Sequence, residues 1–215
     1  MRAVGLVRPG MTLGLGTGST TRHFIDGVGR LVAEGMKLQA VATSDASAKQ
    51  ARALGIRIID QIEGTIDLAV DGADEVDGRL NLIKGRGGAL AREKVVAARA
   101  DRFVVVVDES KLVSELGVGV LPVEVLPFLW RSTGLRVAEF GAGWSLRGGE
   151  GTPFITDNGN LIIDLSFGAP ISDPDLLGAE LRSVVGVVEH GLFMGLSSAC
   201  IVARASGVET LGSLH

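Results

Sequence analysis

One cysteine in 215 residues leaves no internal disulfide to form. Cys200 falls in the apolar run Ala199 to Ala203, reads as a small buried residue, and is assigned no chemistry. Long apolar runs are missing too. Arg8-Pro9 breaks the amino-terminal residues before a secretory core develops, and nothing approaches a membrane span, so a cytoplasmic protein with no membrane partner is expected. Basic runs are absent and the net charge is −4, which argues against nucleic acid as a partner. Any anion must then be bound locally. The chain has no Gly-Lys-Ser/Thr for a nucleoside triphosphate loop, and no repeat or low-complexity segment. Lysine is scarce, with five residues against sixteen arginines, yet Lys84, Lys94 and Lys111 gather near one stretch. Glycine, in contrast, is abundant at 31 residues, roughly twice the usual share. Glycine patterns alone are therefore weak evidence. With 46% hydrophobic and 21% charged residues the chain is an ordinary globular one, long enough for one large or two small domains.

The stretch that concentrates chemistry runs from Asp71 to Lys94. Ile66 to Val70 is a short run rich in branched residues, a buried strand that ends at Asp71-Gly72-Ala73-Asp74. Leu80 to Ile83 reads as a second strand, ending at Lys84-Gly85-Arg86-Gly87-Gly88, whose glycines let backbone N–H groups turn toward an anion. From Ala89 onward Leu90, Val95 and Val96 have helical spacing and put Glu93 in the first turns. Three segments would thus aim Asp71, Lys84 and Glu93 at one point, at the strand edge where open α/β sheets bind ligands. Each residue also has a plainer reading: Asp and Gly form turns, Glu is favoured near a helix start, and a lone Lys is solvated. A calcium loop fails, since positions 71, 73 and 75 are Asp, Ala and Glu.

Upstream, Met11 to Gly16 closes a strand, and Thr17-Gly18-Ser19-Thr20-Thr21 opens a helix with Phe24, Ile25, Val28, Leu31 and Val32 on its apolar face. A strand, a glycine turn and a hydroxyl-rich helix start make an anion site, although simple N-capping fits this stretch equally well. The turn is not Gly-x-Gly-x-x-Gly, and Asp45 comes late for a dinucleotide fold, so a monophosphate is the better ligand. Helix 46–54 and strand 56–59 follow, and Phe103 to Val107 is the clearest buried strand, ending in Asp108-Glu109-Ser110-Lys111. Strands alternating with helices through short connections predict a parallel, helix-covered sheet. Past Leu121-Pro122 the pattern changes. A strand at 123–125, a helix over 128–140, a strand at 144–147, a turn at Asn158-Gly159 into strand 161–165, a helix from Asp173-Pro174 to Val185 and a strand over 187–193 give β-α-β-β-α-β, a small ferredoxin-like α+β domain. The expected division is residues 1–121 with 196–215 as a catalytic α/β domain, and 122–195 as a lid or oligomerisation domain.

Several motifs in one order resemble ribose-5-phosphate isomerases of the A type: Gly16-Thr17-Gly18-Ser19-Thr20, Ser44-Asp45-Ala46-Ser47, Asp71-Gly72-Ala73-Asp74-Glu75, Lys84 to Leu90 with Arg92-Glu93-Lys94, Ser110-Lys111, Leu121 to Val125, and Thr156 to Asn160. The resemblance spans nearly the whole chain. It implies a Rossmann-like parallel-sheet domain beside the smaller one, and interconversion of D-ribose 5-phosphate and D-ribulose 5-phosphate in the non-oxidative pentose phosphate pathway. It also implies that no metal or cofactor is needed, that the partner is a small sugar phosphate, and that the chain forms a homodimer or homotetramer. Glu93 is then the catalytic base and Lys84 the stabiliser of the enediolate. Asp71 opens the furanose ring and Asp74 orients hydroxyls. Substrate contacts would come from Thr17, Gly18, Ser19, Thr20, Asp71, Gly72, Ala73, Asp74, Lys84, Gly85, Arg86, Gly87 and Lys111, with Ser19, Thr20 and Lys111 on the phosphate. Two departures stand out. The family carries a fuller helix before the first strand, where Arg2 or Arg8 would substitute for a basic residue, and Arg86 replaces a glycine. The other readings are an acyl-coenzyme A transferase with Glu93 as nucleophile, an amino-sugar phosphate deaminase, and a non-catalytic sugar-phosphate sensor.

Overall fold

The computed structural model describes residues 2–140 and 143–214. Branched, apolar runs become strands, and the amphipathic stretches between them become helices. In chain order the first half comprises β1 (Thr12–Leu15), α1 (Ser19–Ala33), β2 (Gln39–Ala42), α2 (Asp45–Ala53), β3 (Arg57–Ile58), β4 (Leu68–Asp71), β5 (Glu75–Val76), β6 (Leu82–Ile83), α3 (Leu90–Arg99) and β7 (Phe103–Asp108). The second half comprises β8 (Val120–Val125), α4 (Trp130–Ala138), β9 (Gly143–Leu146), β10 (Leu161–Ser166), α5 (Pro174–Ser183), β11 (Val187–His190), β12 (Leu192–Phe193), β13 (Ala199–Arg204) and β14 (Gly207–Gly212). Two compact units share these elements. Among the described residues one takes in 2–73, 92–111 and 196–214, the other 74–91, 112–140 and 143–195.

The first unit is built on a seven-stranded sheet in the order β14-β13-β7-β4-β1-β2-β3. Its pairings are parallel except for the β13–β14 hairpin at one edge. The chain moves from β1 out through β2 and β3, then returns to pair β4 on the opposite side of β1. The order therefore reverses between β1 and β4, the switch point at which such sheets leave a crevice at their carboxyl ends. Leu13, Leu15, Leu68 and Val70 are completely buried there, with Phe24, Ile25 and Val28 of α1 packed over them. Gly14 lets α3 come close, since a Cβ on it would lie 2.5 Å from Val96 Cγ1.

The second unit contains a four-stranded antiparallel sheet, β11-β8-β10-β9, and a three-stranded one, β12-β6-β5. The order β8-α4-β9-β10-α5-β11 is the expected ferredoxin-like β-α-β-β-α-β. Leu121, Val123 and Val125 of β8 pack with Ile163 and Leu165 of β10 and with Leu177 and Leu181 of α5. Pro122 and Glu124, the alternate residues of β8, take the other face.

Three local expectations need correction. Helix α4 starts at Trp130 rather than Phe128, because Leu129 adopts a left-handed conformation with φ 52°. Strand 187–193 divides at Gly191: β11 pairs with β8, whereas β12 pairs with β6. Gly191 is required at that crossing, where a Cβ would meet Lys84 O at 2.3 Å. Residues 74–91 and 112–121 group with the second unit, since β6 is tied to β12 and β8 already begins at Val120. Among the described residues no helix is long and apolar enough to cross a membrane.

Candidate active site

In the first unit, the carboxyl ends of β1, β4 and β7 and the amino ends of the helices that follow converge on one edge of the sheet. Asp71, the last residue of β4, is 3% exposed, and its Oδ1 accepts the N–H groups of Thr17 at 3.0 Å and Gly72 at 2.7 Å. This geometry requires Gly16, because a Cβ there would fall 2.2 Å from Asp71 Cγ. The turn is fastened from its other side as well. Ser47 Oγ donates to Gly16 O at 2.7 Å, and the hydroxyls of Thr17 and Thr43 share a hydrogen bond of 2.7 Å. Gly18, at φ 116°, caps α1 without a side chain, so Ser19 and Thr20 stay exposed at a helix start that has no acidic residue in its first turn. Free N–H groups and the positive end of the helix dipole suit such a helix start to an anion.

Glu93 lies in the first turn of α3, which runs opposite to the parallel strands and so starts at their carboxyl edge. It is one helical turn before Val96, the residue packed on Gly14, and is 5% exposed. Arg92 beside it donates to Asp45 at 2.8 Å, which ties α3 to the start of α2. Lys111 follows β7, β4's neighbour, and ends a short 3-10 turn, Glu109–Lys111. Asp108 caps that turn, accepting from Ser110 N–H at 2.9 Å and from the Ser110 hydroxyl. These hydrogen bonds, with the Lys111 charge adding to them, hold the Asp108 carboxyl below the usual range. Thr17, Gly18, Ser19, Thr20, Asp71, Gly72, Glu93 and Lys111 are thus brought to one edge.

Ala73 ends a segment of the first unit, and the second unit gathers the remaining expected residues. Asp74 N–H donates to Ile83 O at 2.8 Å, and Asp74 Oδ2 accepts the Arg86 N–H at 2.9 Å. Lys84, only 2% exposed, is held by its own N–H on Gly191 O at 2.9 Å, and its Nζ lies 5.6 Å from the centre of the Phe193 ring. The glycine loop turns at Gly85, φ 109°, and closes with Gly88 N–H on Gly85 O at 3.0 Å. The Arg86 guanidinium runs toward Gly119, whose Cβ would meet it at 2.1 Å. Arg2 and Arg8 donate to backbone carbonyls, of Val208 for Arg2, and of Gly5 and Val7 for Arg8.

Two arrangements were not anticipated from the sequence. Glu75, 3% exposed, accepts the N–H groups of Gly117 at 2.7 Å and Gly119 at 2.5 Å, anchoring the chain before β8. Glu124, fully buried, accepts at Oε1 from Thr156 Oγ1 at 3.0 Å, Asn158 Nδ2 at 3.0 Å and Asn160 Nδ2 at 2.8 Å. The second explains three residues of the Thr156 to Asn160 motif, since the side chains of Thr156, Asn158 and Asn160 serve one carboxylate.

A parallel α/β sheet whose switch point carries a hydroxyl-rich, acid-free helix start, in a chain that also holds a ferredoxin-like unit, defines the class of α/β proteins that take small phosphorylated ligands. Residues 39–207 match the family model described as ribose 5-phosphate isomerase A (phosphoriboisomerase A). The chain belongs to that family. It is an aldose–ketose isomerase of D-ribose 5-phosphate and D-ribulose 5-phosphate. It is 46% identical to the probable ribose-5-phosphate isomerase 3, chloroplastic, of Arabidopsis thaliana, over 98% of this chain and 80% of that one. The ribose 5-phosphate isomerase structure from Plasmodium falciparum superimposes with a TM-score of 0.95 at 36% identity, covering 100% of this chain and 96% of the other. A D-ribose-5-phosphate isomerase solved in complex with phospho-erythronic acid gives a TM-score of 0.93 at 42% identity, over 99% and 95% of the two chains.

Proposed function

We propose that Glu93 is the base of this isomerisation. The observation that carries the reading is its position: a carboxylate almost out of water, in the first turn of a helix that starts at the sheet edge shared by Thr17 and Asp71. Asp71 transfers the proton that opens the furanose ring. Glu93 then removes the C2 proton of the open aldose, and the C2–H electron pair forms the C1=C2 bond as C1=O becomes the enediolate oxygen. The hydroxyl proton passes from O2 to O1, and the same carboxylate returns the carbon proton to C1 as C2–O becomes the carbonyl. One base serves both carbons because they are adjacent. Lys84, with N–H groups of Gly85 to Gly87, stabilises the enediolate charge, and Asp74 orients hydroxyls. Ser19, Thr20 and Lys111 hold the phosphate, whose binding positions the reacting carbons. Gly18, Gly72, Ala73 and Arg86 complete the contacts. Phospho-erythronic acid, bound by the related structure, is an acid analogue of the open-chain substrate, which supports this reading.

The first unit carries the base, the ring-opening carboxylate and the phosphate-binding residues, whereas the second carries the charge-stabilising Lys84 loop and its ferredoxin-like part serves as a lid or oligomerisation element. Phe128 and Val185, 80% and 95% exposed, join exposed Leu126 and Leu129 on the second unit, which supports a homodimer or homotetramer. The reaction belongs to the non-oxidative pentose phosphate pathway, and the proposed location is cytoplasmic. The test is ribulose 5-phosphate formation by wild type and Glu93→Gln, each with and without a chelator. Chelator-insensitive turnover that the substitution abolishes supports the reading, whereas chelator-sensitive turnover refutes the metal-free mechanism. A covalent thioester at Glu93 or ammonia release would move the assignment to the transferase or deaminase reading.

A further inference from the structure

Arg147 lies just beyond β9, and no motif singles it out, yet its guanidinium makes four hydrogen bonds inside the second unit. Nε donates to Asp164 Oδ2 at 2.9 Å and Nη2 donates to Asp164 Oδ1, a bidentate fork. Nη1 donates to Gly85 O at 2.8 Å and to Arg86 O at 3.0 Å. Both side chains of the pair are only 15% exposed, so solvent screens the fork little. The guanidinium also stands 5.9 Å from the centre of the Phe154 ring, and a Cβ on Gly88 would meet that ring at 2.4 Å. The glycine loop is therefore gripped from one side by an arginine that β10, through Asp164, holds still.

This grip fixes the direction of the loop's amides. Every described peptide bond is trans, and in a trans peptide the C=O and the following N–H point in opposite directions. With Gly85 O turned to Arg147, the Arg86 N–H must face away, and it donates to Asp74 Oδ2 at 2.9 Å. With Arg86 O also turned to Arg147, the Gly87 N–H must face away in the same sense, toward the side on which Asp74 lies. Gly87 is exposed, and among the described residues no protein acceptor takes its N–H.

We propose that Arg147, locked by Asp164, is a positioning residue that aims the Gly87 N–H at the oxyanion of the enediolate. The inference rests on the isomerase reading and on the Lys84–Gly87 loop as its charge-stabilising element. Arg147 itself touches no reacting atom. Lysine cannot replace it, because an ammonium has no fork to span Asp164 and two carbonyls at once.

The experiment is steady-state kinetics on Arg147→Gln, Arg147→Lys and Asp164→Asn, with thermal melts and with Glu93→Gln in parallel. Removing a whole oxyanion donor lowers kcat about 100- to 1000-fold, so misaiming one lowers it about 30- to 100-fold in Arg147→Gln. KM stays within about threefold, since the donor meets charge that exists only in the transition state. Arg147→Lys regains less than a third of the lost rate. Asp164→Asn keeps the shape and one acceptor, loses about tenfold in kcat, and carries the test if Arg147→Gln does not fold. A folded Arg147→Gln or Asp164→Asn with unchanged kcat, or with KM raised and kcat intact, overturns the proposal. An inactive Glu93→Gln beside fully active Arg147 variants would sink this inference alone, whereas an active Glu93→Gln would sink the underlying reading.

Discussion

Replacing Gly16 by alanine should damage this enzyme through Asp71 and through nothing else. The backbone at Gly16 suits any residue, so the effect is one of space: the new Cβ would lie 2.2 Å from both Cγ and Oδ1 of Asp71, and 2.6 Å from its Cβ. Ordinary contact begins near 3.4 Å, so the carboxylate must retreat by about 1 Å. That stretches its hydrogen bonds from Thr17 and Gly72, now 3.0 and 2.7 Å, past useful length. A hydrogen bond to a charged group contributes about 1.5–3 kcal/mol, and a carboxylate this buried has little water to replace it. The expected loss is about 3–5 kcal/mol of stability. The Thr17 to Thr20 turn loses its anchor too, so kcat/KM should fall about 100-fold. Urea unfolding and kinetics on Gly16→Ala, Asp71→Gly and the double variant separate the causes. Asp71→Gly removes all three atoms that the Cβ meets, and in that background Gly16→Ala should cost under about 1 kcal/mol. Strict additivity of the two single changes would refute the argument.

Burial pushes the Cys200 thiol up to about 12 from 9.0. An acid raised on folding contributes full stability below its unfolded value and loses it as pH rises toward the folded one. Wild type should therefore lose about 1.4 kcal/mol between pH 8 and pH 10 that Cys200→Ala does not, read from urea midpoints at each pH. The native thiol should also resist a thiol reagent at pH 8 until the protein unfolds. Asp173, whose Oδ1 accepts Leu176 N–H at 2.9 Å before Pro174, caps α5, so Asp173→Ala should lower stability by about 1 kcal/mol in thermal melts with kcat unchanged.

Where the candidate residues fall in the fold was largely legible because the signals are local. Asp71 closes a branched run, Lys84 opens a glycine loop, and Glu93 starts a helix, and each fact needs only a few neighbouring residues. The parallel sheet and the ferredoxin-like order were readable for the same reason, from strand runs and short connections. What escaped depends on partners far along the chain. Arg147 serves Gly85 and Arg86 some sixty positions upstream, Glu75 holds Gly117 and Gly119, and Glu124 gathers Thr156, Asn158 and Asn160. No periodicity announces such pairs. Leu129 is a different case: a left-handed leucine defies its own propensity, so the helix was expected to begin two residues early. Gly191 belongs with the first group, since residues 187–193 read as one strand and the close approach of Lys84, some hundred positions upstream, accompanies its division between two sheets.

The central claim is that one carboxylate, Glu93, carries the proton between C2 and C1. The most direct measurement is kcat of Glu93→Gln in both directions, from ribose 5-phosphate and from ribulose 5-phosphate, on protein shown by melting to be folded. A fall of about 10²- to 10⁴-fold in each direction, with substrate binding retained, is the predicted result. Turnover within threefold of wild type in a folded Glu93→Gln would contradict it.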